Sequence, residues 1–185
     1  MKFLKFLLII FISLTTSIKA DLNKNLMNQL EDGEKLIFIR HAYAPGSGDP
    51  NNFNLNDCST QRNLSKEGKK QAQKIGKFFI NNNIKIEKVF SSEWCRCKET
   101  AEIAFKDYSI KNFLNSFYSS KYKKNKTKQI EALDNYVQQL KSKQNIVLVT
   151  HYVLISEVLN YAPSSGEIVV SDKNFNIIGS VKINY

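Results

Sequence analysis

The sequence predicts an α/β fold with three layers, in which a mainly parallel sheet carries helices on both faces. Three short apolar segments, rich in Ile, Val and Phe, predict strands because each ends at polar residues: 35–40 (KLIFIR), 86–90 (IEKVF) and 145–150 (NIVLVT). Segments with apolar residues at helical spacing separate these strands. Strands that alternate with helices in this way are typical of a parallel sheet.

Four helices are expected between and after the strands. Ser65 is placed to cap a helix that runs to about Asn81 and has an apolar face. A second helix is predicted to begin near Glu93, and apolar residues at helical spacing over 130–140 predict a third. A fourth helix is predicted to follow His151.

The C-terminal part of the chain predicts a β-hairpin. Segments 168–170 and 176–183 are rich in Ile and Val, and the intervening DKN is typical of a turn. No internal repeat or low-complexity linker divides the chain. We therefore expect residues 21–185 to form one domain with a sizeable core.

Residues 1–20 have the pattern of a secretory signal peptide. Lys2 and Lys5 precede the apolar run 6–14, and the segment ends at the small residue Ala20. The run is short for a membrane span, although an uncleaved anchor is the alternative. We therefore expect cleavage after Ala20, no membrane attachment afterwards, and a periplasmic or secreted protein.

The chain is basic, with a formal net charge of +10. The predicted signal peptide contains three lysines and no acidic residue, which leaves +7 for the domain. The lysines are scattered and often stand next to Asn, unlike the clustered charge of a nucleic-acid-binding face, so we expect no nucleic-acid partner. The charge suits small anionic, phosphate-bearing substrates.

The chain has three cysteines, Cys58, Cys95 and Cys97. In an oxidising compartment, two of them are expected to form a disulfide. Cys58 lies in the long loop after the first strand, and the other two flank Arg96 near the start of the second helix. We predict that Cys58 pairs with one of them. Different positions on a helix point in different directions, so only one can face Cys58, and the sequence does not decide which.

Both histidines of the chain follow a predicted strand. Arg40 and His41 stand at the end of the first strand, and His151 follows the third. The second strand leads to Ser92 and, one helical turn further, to Arg96. Parallel strands end at the same edge of the sheet, where open α/β sheets bind ligands. We therefore expect these side chains to converge at one site.

Two arginines and two histidines at one edge suit phosphoryl transfer. Guanidinium groups match phosphate oxygens and keep their charge. A neutral imidazole can act as a nucleophile toward phosphorus, and a second, protonated imidazole can donate to the phosphoryl oxygens. Such a reaction would proceed through a phosphohistidine and needs no cofactor.

Other kinds of site have less support. The two histidines with Cys95 and Cys97 reach the ligand count of a zinc site, but Cys-x-Cys is a weak match and export favours disulfides. We therefore predict no metal. The segment 58–62 (CSTQR) is too short for the phosphate loop of a cysteine phosphatase, and no Gly-x-Ser-x-Gly elbow marks a serine hydrolase.

Four sequence blocks together resemble the histidine phosphatase superfamily, which has the phosphoglycerate mutase-like fold. They are IRHA (39–42), LSKEGKKQA (64–72), SSEWCRCKETA (91–101) and LVTHYVLI (148–155). Their order matches the family's Arg-His-Gly signature, the start of its first helix, its Ser-Ser…Arg…Thr-Ala block and its Val-Thr-His block. The likeness is greatest to the short, phosphatase-type branch.

This resemblance implies roles for individual residues. His41 would be the phosphorylated nucleophile, and Arg40, Arg96 and His151 would hold the phosphoryl group. Further substrate-binding candidates are Arg62, Ser92 and Ala42, of which Ser92 is favoured as a helix cap rather than a ligand.

The sequence also departs from the family pattern. Ala42 replaces the glycine of the signature, and Tyr152 replaces a glycine that often follows the second histidine. Many members have a glutamate as general acid between the second and third strands, but 113–122 (FLNSFYSSKY) has no carboxylate. Glu93 and Asp57 are the remaining candidates, although an acid such as Glu93 is also favoured at a helix N-terminus.

The sequence thus predicts an exported, metal-independent phosphatase. Its substrate would be a small phosphomonoester or phosphoramidate, hydrolysed through a phosphohistidine on His41. A protein that binds phosphorylated ligands with little or no turnover is the alternative, because the usual glutamate is missing. A phosphomutase is less favoured, because the chain is short and carries an export signal.

Overall fold

The computed structural model describes residues 24–185. The predicted signal peptide and its cleavage after Ala20 lie outside the described residues and stay predictions. Within 24–185, none of the helices has the length and apolar character that crossing a membrane requires.

A six-stranded sheet forms the centre of the molecule, in the order β3-β2-β4-β1-β5-β6. Its strands are β1 (Leu36–Arg40), β2 (Ile86–Ser91), β3 (Ser109–Ile110), β4 (Asn145–Thr150), β5 (Ile168–Ser171) and β6 (Ile177–Val181). The first four strands are parallel, and β5 and β6 form an antiparallel hairpin at one side. The predicted mainly parallel sheet and closing hairpin are confirmed, whereas the two-residue β3 was not predicted.

Six helical segments surround the sheet. They are α1 (24–32), α2 (Lys66–Asn81), α3 (Cys95–Phe105), α4 (Ser120–Lys123), α5 (Lys126–Gln138) and α6 (Tyr152–Leu159), with 3₁₀ turns at Cys58–Thr60 and Asn112–Leu114. Ser65 caps α2 as predicted, since its Oγ accepts the Gly68 N–H at 3.1 Å. The second helix begins at Cys95, two residues later than expected. Neither α1 nor α4 was predicted.

Two hydrophobic clusters cover the two faces of the sheet. Alternation along β1 sends Ile37 and Ile39 into one cluster and Leu36 and Phe38 into the other. The first cluster contains the inward faces of α2 and α3, and the second contains those of α5 and α6. Because β1 and β4 are buried on both faces, each contains an unbroken apolar run, 36–39 in β1 and 146–149 in β4.

One close contact positions the chain after β1. A Cβ at Gly68 would lie 2.0 Å from the Tyr43 carbonyl oxygen, so only glycine lets the first turn of α2 approach this segment. One turn further, Gln71 accepts the Tyr43 N–H at 2.8 Å. Helix α2 therefore holds the backbone directly after His41 in place.

Candidate active site

The central strands β1 and β4 bring the two histidines together. Arg40 pairs with Thr150 in the parallel register, so His41 and His151 leave the same edge of the sheet. The His41 N–H donates to the Thr150 carbonyl at 2.9 Å, and the two imidazole centroids are 5.6 Å apart. Both side chains are almost completely buried.

The contacts of His41 define its tautomer. Its Nδ1 lies 2.9 Å from the carbonyl oxygen of Ala42, which can only accept a hydrogen bond, so Nδ1 carries the proton. Nε2 then presents a lone pair and accepts the Nε–H of Arg96 at 3.2 Å. Burial, reinforced by the charge of Arg96, holds the pKa of His41 well below its usual value. The imidazole is therefore neutral at neutral pH.

His151 is positioned by contacts with α3 and with the segment before it. Its Nε2 lies 2.8 Å from Ser92 Oγ, which donates to Asn115 Oδ1 at 3.1 Å. Because Ser92 donates its only hydroxyl proton to Asn115, its Oγ accepts a hydrogen bond from His151 Nε2, which therefore carries the imidazole proton. The lone pair is then on His151 Nδ1, which lies 3.5 Å from Arg96 Nη2. Burial, Arg96 and His41 lower the pKa of His151 well below its usual value, so it too is neutral in the free protein.

Three arginines lie beside the histidines. Arg40 donates to the Pro163 carbonyl at 2.8 Å, while its buried Nε has no partner among residues 24–185. Arg62, from the long loop before α2, donates to the carbonyls of Gly48 (2.7 Å) and Ala44. Burial and Arg96 lower the pKa of Arg62 to about 10, which leaves it charged at neutral pH. All three guanidinium groups can therefore bind an anion.

These side chains line a cavity of about 440 Å³. His41 and His151 lie in it with Arg40, Arg62 and Arg96. Its remaining walls are Trp94 and parts of the segments 46–53 and 116–122, including the exposed Tyr118 and Lys121, together with Tyr152 and Val153. A cavity with this charge is suited to a phosphoryl group with a larger substituent toward the aromatic walls.

Asp49, which was not among the predicted site residues, also lines this cavity. Its Oδ1 forms an ion pair with Arg96 Nη1 at 2.6 Å, and its Oδ2 accepts the indole N–H of Trp94 at 3.0 Å. Burial would raise the pKa of this carboxyl group, but the contacts with Arg96 and Trp94 outweigh burial and lower it. A sequence signal was present, since Asp49 stands in the glycine-rich loop directly after the Arg-His pair.

A disulfide joins Cys58 to Cys95 and resolves the open choice of partner. It attaches the 3₁₀ turn Cys58–Thr60 to the first residue of α3, directly before Arg96. Cys97 faces the interior, where its Sγ lies 3.5 Å from His151 Nε2, and burial raises the pKa of its thiol to about 12. The zinc alternative would need thiolates, and here one cysteine is oxidised and the other protonated.

Four predicted site residues do not line the cavity. Ala42 is buried, and its N–H donates to Thr100 Oγ1 at 3.0 Å. Ser92 contacts His151 instead of the cavity, and it also accepts the Trp94 N–H at 3.3 Å. A substrate contact by either residue is not supported by its position. Within the described part of the chain, no group of three or more His, Cys, Asp or Glu could hold a metal.

The two candidate acids are also placed elsewhere. Asp57 is fully exposed, and its carboxylate accepts the Ser59 N–H at 2.9 Å as the cap of a 3₁₀ turn. Glu93 is half-buried and accepts a hydrogen bond from the side-chain amide of Asn115. Both carboxylates accept hydrogen bonds from groups outside the two histidines. Neither is brought to the cavity.

Comparisons with known proteins show a partial match to one family and a shared fold. Residues 36–114 match the model of the histidine phosphatase superfamily (branch 1). No curated protein matches the sequence. The solved structure of the protein histidine phosphatase SixA with tungstate has a TM-score of 0.56 and 15% identity, covering 77% of this chain and 92% of that one.

Two further solved structures share the fold. A putative phosphohistidine phosphatase SixA from Agrobacterium tumefaciens gives a TM-score of 0.54 at 16% identity, over 81% of this chain and 99% of that one. The phosphoglycerate mutase from Thermus thermophilus gives 0.53 at 18% identity, over 81% and 99%. With the family-model match over β1 to the second 3₁₀ turn, these likenesses show that the chain is similar to the histidine phosphatase superfamily and has the phosphoglycerate mutase-like α/β fold.

Proposed function

We propose that this protein is an exported, metal-independent phosphatase that forms a phosphohistidine on His41. The observation that carries this proposal is the state of His41. Its Nδ1 proton is held by the Ala42 carbonyl, its Nε2 lone pair faces the cavity, and its lowered pKa keeps it neutral beside three guanidinium groups.

The geometry supports a two-step reaction. First, His41 Nε2 forms a bond to phosphorus while the bond from phosphorus to the leaving group breaks, and the leaving group departs with a proton. Then a water oxygen bonds to phosphorus, the P–N bond breaks, and inorganic phosphate leaves. Arg40, Arg62 and Arg96 bind the phosphoryl oxygens in both steps. The Ala42 carbonyl stabilises the positive charge that His41 gains on phosphorylation.

His151 would act on the same phosphoryl group. A dianionic phosphoryl group in the cavity offsets the arginine charges that lower the pKa of His151 in the free protein. His151 can then take up a proton and donate it in a hydrogen bond from Nδ1 to a phosphoryl oxygen, while Ser92 holds its Nε2. Ser92 is in this view a positioning residue.

The substrate class follows from the cavity. The arginines suit one phosphoryl group of a small substrate, either a phosphomonoester or a phosphoramidate. Two solved structures with this fold carry the name of phosphohistidine phosphatase SixA or protein histidine phosphatase SixA, which supports the phosphoramidate possibility. The disulfide between Cys58 and Cys95 is compatible with an oxidising compartment and so supports export.

Replacement of His41 tests the function directly. We expect the wild-type protein to release phosphate from 4-nitrophenyl phosphate in the presence of excess chelator, and His41→Asn to lose this activity while keeping its fold. Brief reaction followed by denaturation should leave an acid-labile phosphate on the wild-type chain and none on His41→Asn. Lys70→Ala, an exposed change on α2, is the control.

The same experiment separates the phosphatase from the alternatives. A folded His41→Asn protein with unchanged activity would contradict the mechanism. Tight binding of tungstate without phosphate release from any substrate would instead favour a binder of phosphorylated ligands. Activity that disappears in chelator and returns with one divalent metal would contradict metal independence.

A further inference from the structure

Asp49 lies in the cavity but has no role in the two-step reaction described above. Among the described residues that line the cavity, it is the one carboxylate, and its side chain is 17% exposed. It stands in the loop after β1, close to the backbone of Arg62, whose N–H donates to Oδ1 at 3.2 Å. The segment 113–122, by contrast, brings hydroxyl groups and an amide but no carboxylate.

Arg96 connects this carboxylate to the nucleophile. Its Nε donates to His41 Nε2 at 3.2 Å, and its Nη1 and Nη2 donate to Asp49 Oδ1 and Oδ2 at 2.6 and 3.3 Å. The guanidinium therefore lies between His41 and Asp49 in the free protein. A phosphoryl group that bonds to His41 Nε2 displaces the Arg96 Nε–H from that atom. If its oxygens also take the Nη donors, Asp49 is released from Arg96.

This exchange changes the charge state of Asp49. Burial raises the pKa of the carboxyl group, and in the free protein the contacts with Arg96, together with the Trp94 and Arg62 N–H groups, more than cancel that effect. The other charged group that faces Asp49 is Arg62, and the neutral indole of Trp94 adds one donor. When phosphate oxygens take the Arg96 donors, Asp49 stays buried but loses the contacts that stabilised its charge. The phosphoryl group also adds a negative charge nearby, and both effects raise the pKa of Asp49.

We propose that Asp49 is the proton donor of this phosphatase. When substrate binds, Arg96 leaves the Asp49 carboxylate for the phosphoryl oxygens, and Asp49 then takes up the proton that it donates. This inference rests on the function proposed above. In the first step, the P–O bond breaks as P–N forms, and the Asp49 proton moves to the leaving oxygen. In the second step, water attacks phosphorus, P–N breaks, and the water proton moves to the Asp49 carboxylate. Departure of phosphate lets Arg96 return, and the proton passes to solvent.

A proton donor and a residue that only orients Arg96 would affect the reaction rate in different ways. If Asp49 only oriented Arg96, its loss would slow every substrate by a similar factor. A proton donor matters in proportion to the basicity of the leaving group, and general acid help is typically worth about 10²–10⁴-fold. The slope of kcat/KM against leaving-group pKa therefore separates the two roles.

The first experiment measures that slope in wild type and Asp49→Asn, over phosphates from alkyl to 2,4-dinitrophenyl. We expect Asp49→Asn to lose at least 100-fold on alkyl phosphates and less than tenfold on 2,4-dinitrophenyl phosphate. Asp107→Asn, an exposed aspartate outside the cavity, is the control and should change neither. Equal losses over the whole series, or a leaving-group-dependent loss in Glu93→Gln or Asp57→Asn instead, would overturn the assignment.

The second experiment does not depend on turnover. Tungstate, a tetrahedral dianion, is added to weakly buffered protein near neutral pH, and proton uptake is followed with an indicator dye. Wild type should take up more protons per bound tungstate than Asp49→Asn, whereas equal uptake would contradict the proposal. If wild type cleaves no phosphate, the proposed function fails, and this uptake still decides whether Asp49 exchanges its partner.

A third variant covers the case in which Asp49→Asn does not fold. Asp49→Glu keeps a carboxyl group that can pair with Arg96. It should retain the shallow leaving-group dependence of wild type, with a lower rate on all substrates because the acid is displaced. A steep dependence in folded Asp49→Glu, equal to that expected without an acid, would show that the carboxyl group at this position does not donate the proton.

Discussion

His41 and His151 are buried bases packed against cations, and this arrangement costs stability at low pH. Both have pKa values well below the usual 6.5, first because of burial and then because of Arg96. Both imidazoles are therefore neutral at neutral pH, since protonation next to three guanidinium groups is unfavourable. The proposed mechanism requires such a neutral nucleophile. The same contacts mean that the unfolded chain binds protons more readily than the folded protein does.

The resulting pH dependence of stability has a definite sign. As pH falls below about 6.5, the unfolded state takes up protons on the two histidines while the folded state does not, so the free energy of unfolding decreases. Each histidine contributes up to about 1.4 kcal/mol per pH unit, until its folded-state pKa is reached. We expect the urea midpoint to fall steadily between pH 7 and pH 5.

Removal of the histidines provides the matched comparison. They are the only two in the sequence, so the double variant His41→Asn/His151→Asn should show a clearly flatter profile over this range. The measurement is urea unfolding by circular dichroism at several pH values. Equal slopes in wild type and the double variant would contradict the lowered pKa values.

At the scale of elements, the site depends on how α3 meets the long loop after β1. Helix α3 supplies Arg96 in its first turn, and the loop supplies Arg62 and Asp49. The disulfide from Cys58 to Cys95 joins these two elements one residue before Arg96. It therefore stabilises both the fold and the relative position of Arg62, Asp49 and Arg96.

Loss of this disulfide should reduce stability strongly. It closes a loop over a sequence separation of 37 residues. In the chain-entropy model, this closure is worth about 4 kcal/mol. We expect Cys58→Ser/Cys95→Ser to lower the free energy of urea unfolding by about this amount and to weaken tungstate binding, because the loop with Arg62 and Asp49 becomes free to move.

Reduction gives an independent check of the same bond. A reducing agent should shift wild type toward the double-serine variant and leave that variant unchanged. Cys97→Ala, which removes the remaining thiol, should keep its sensitivity to reductant. Peptide mapping, without reduction, of protein purified from an oxidising compartment should find the Cys58–Cys95 pair, and three free thiols would contradict the pairing.

At the scale of the whole molecule, the positive charge and the position of the cavity act together. The sequence has a formal net charge of +10, and three arginines meet at the end of the central strands. An anionic substrate is therefore attracted both by the general field and by the site itself. Surface charges are screened by salt, whereas buried groups are screened much less.

We therefore expect ionic strength to act on association and not on the chemical step. Between about 50 mM and 500 mM KCl, kcat/KM for a dianionic substrate should fall several-fold as the Debye length shortens. The value of kcat should change little, because the reacting groups are buried. Glycerol at matched viscosity controls for diffusion. A kcat/KM that does not depend on salt would show that long-range attraction plays no part.

Sequence alone determined the elements whose signals are local. The continuous apolar runs of β1 and β4 predicted strands, the Ser65 cap predicted the start of α2, and a parallel sheet then required Arg40-His41 and His151 to meet at one edge. The two-residue β3 and the four-residue α4 were not predicted, because elements this short do not show a periodic pattern.

Tertiary structure alone decided the contacts between distant loops. Which cysteine faces Cys58 depends on the rotation of α3, and the pairing of Asp49 with Arg96 depends on how the loop folds over that helix. Asp57 and Glu93 were as acidic as Asp49 in the sequence, yet only Asp49 reached the cavity. The physical reason is that strand and helix signals repeat along the chain, whereas a loop side chain is oriented by neighbours far away in sequence.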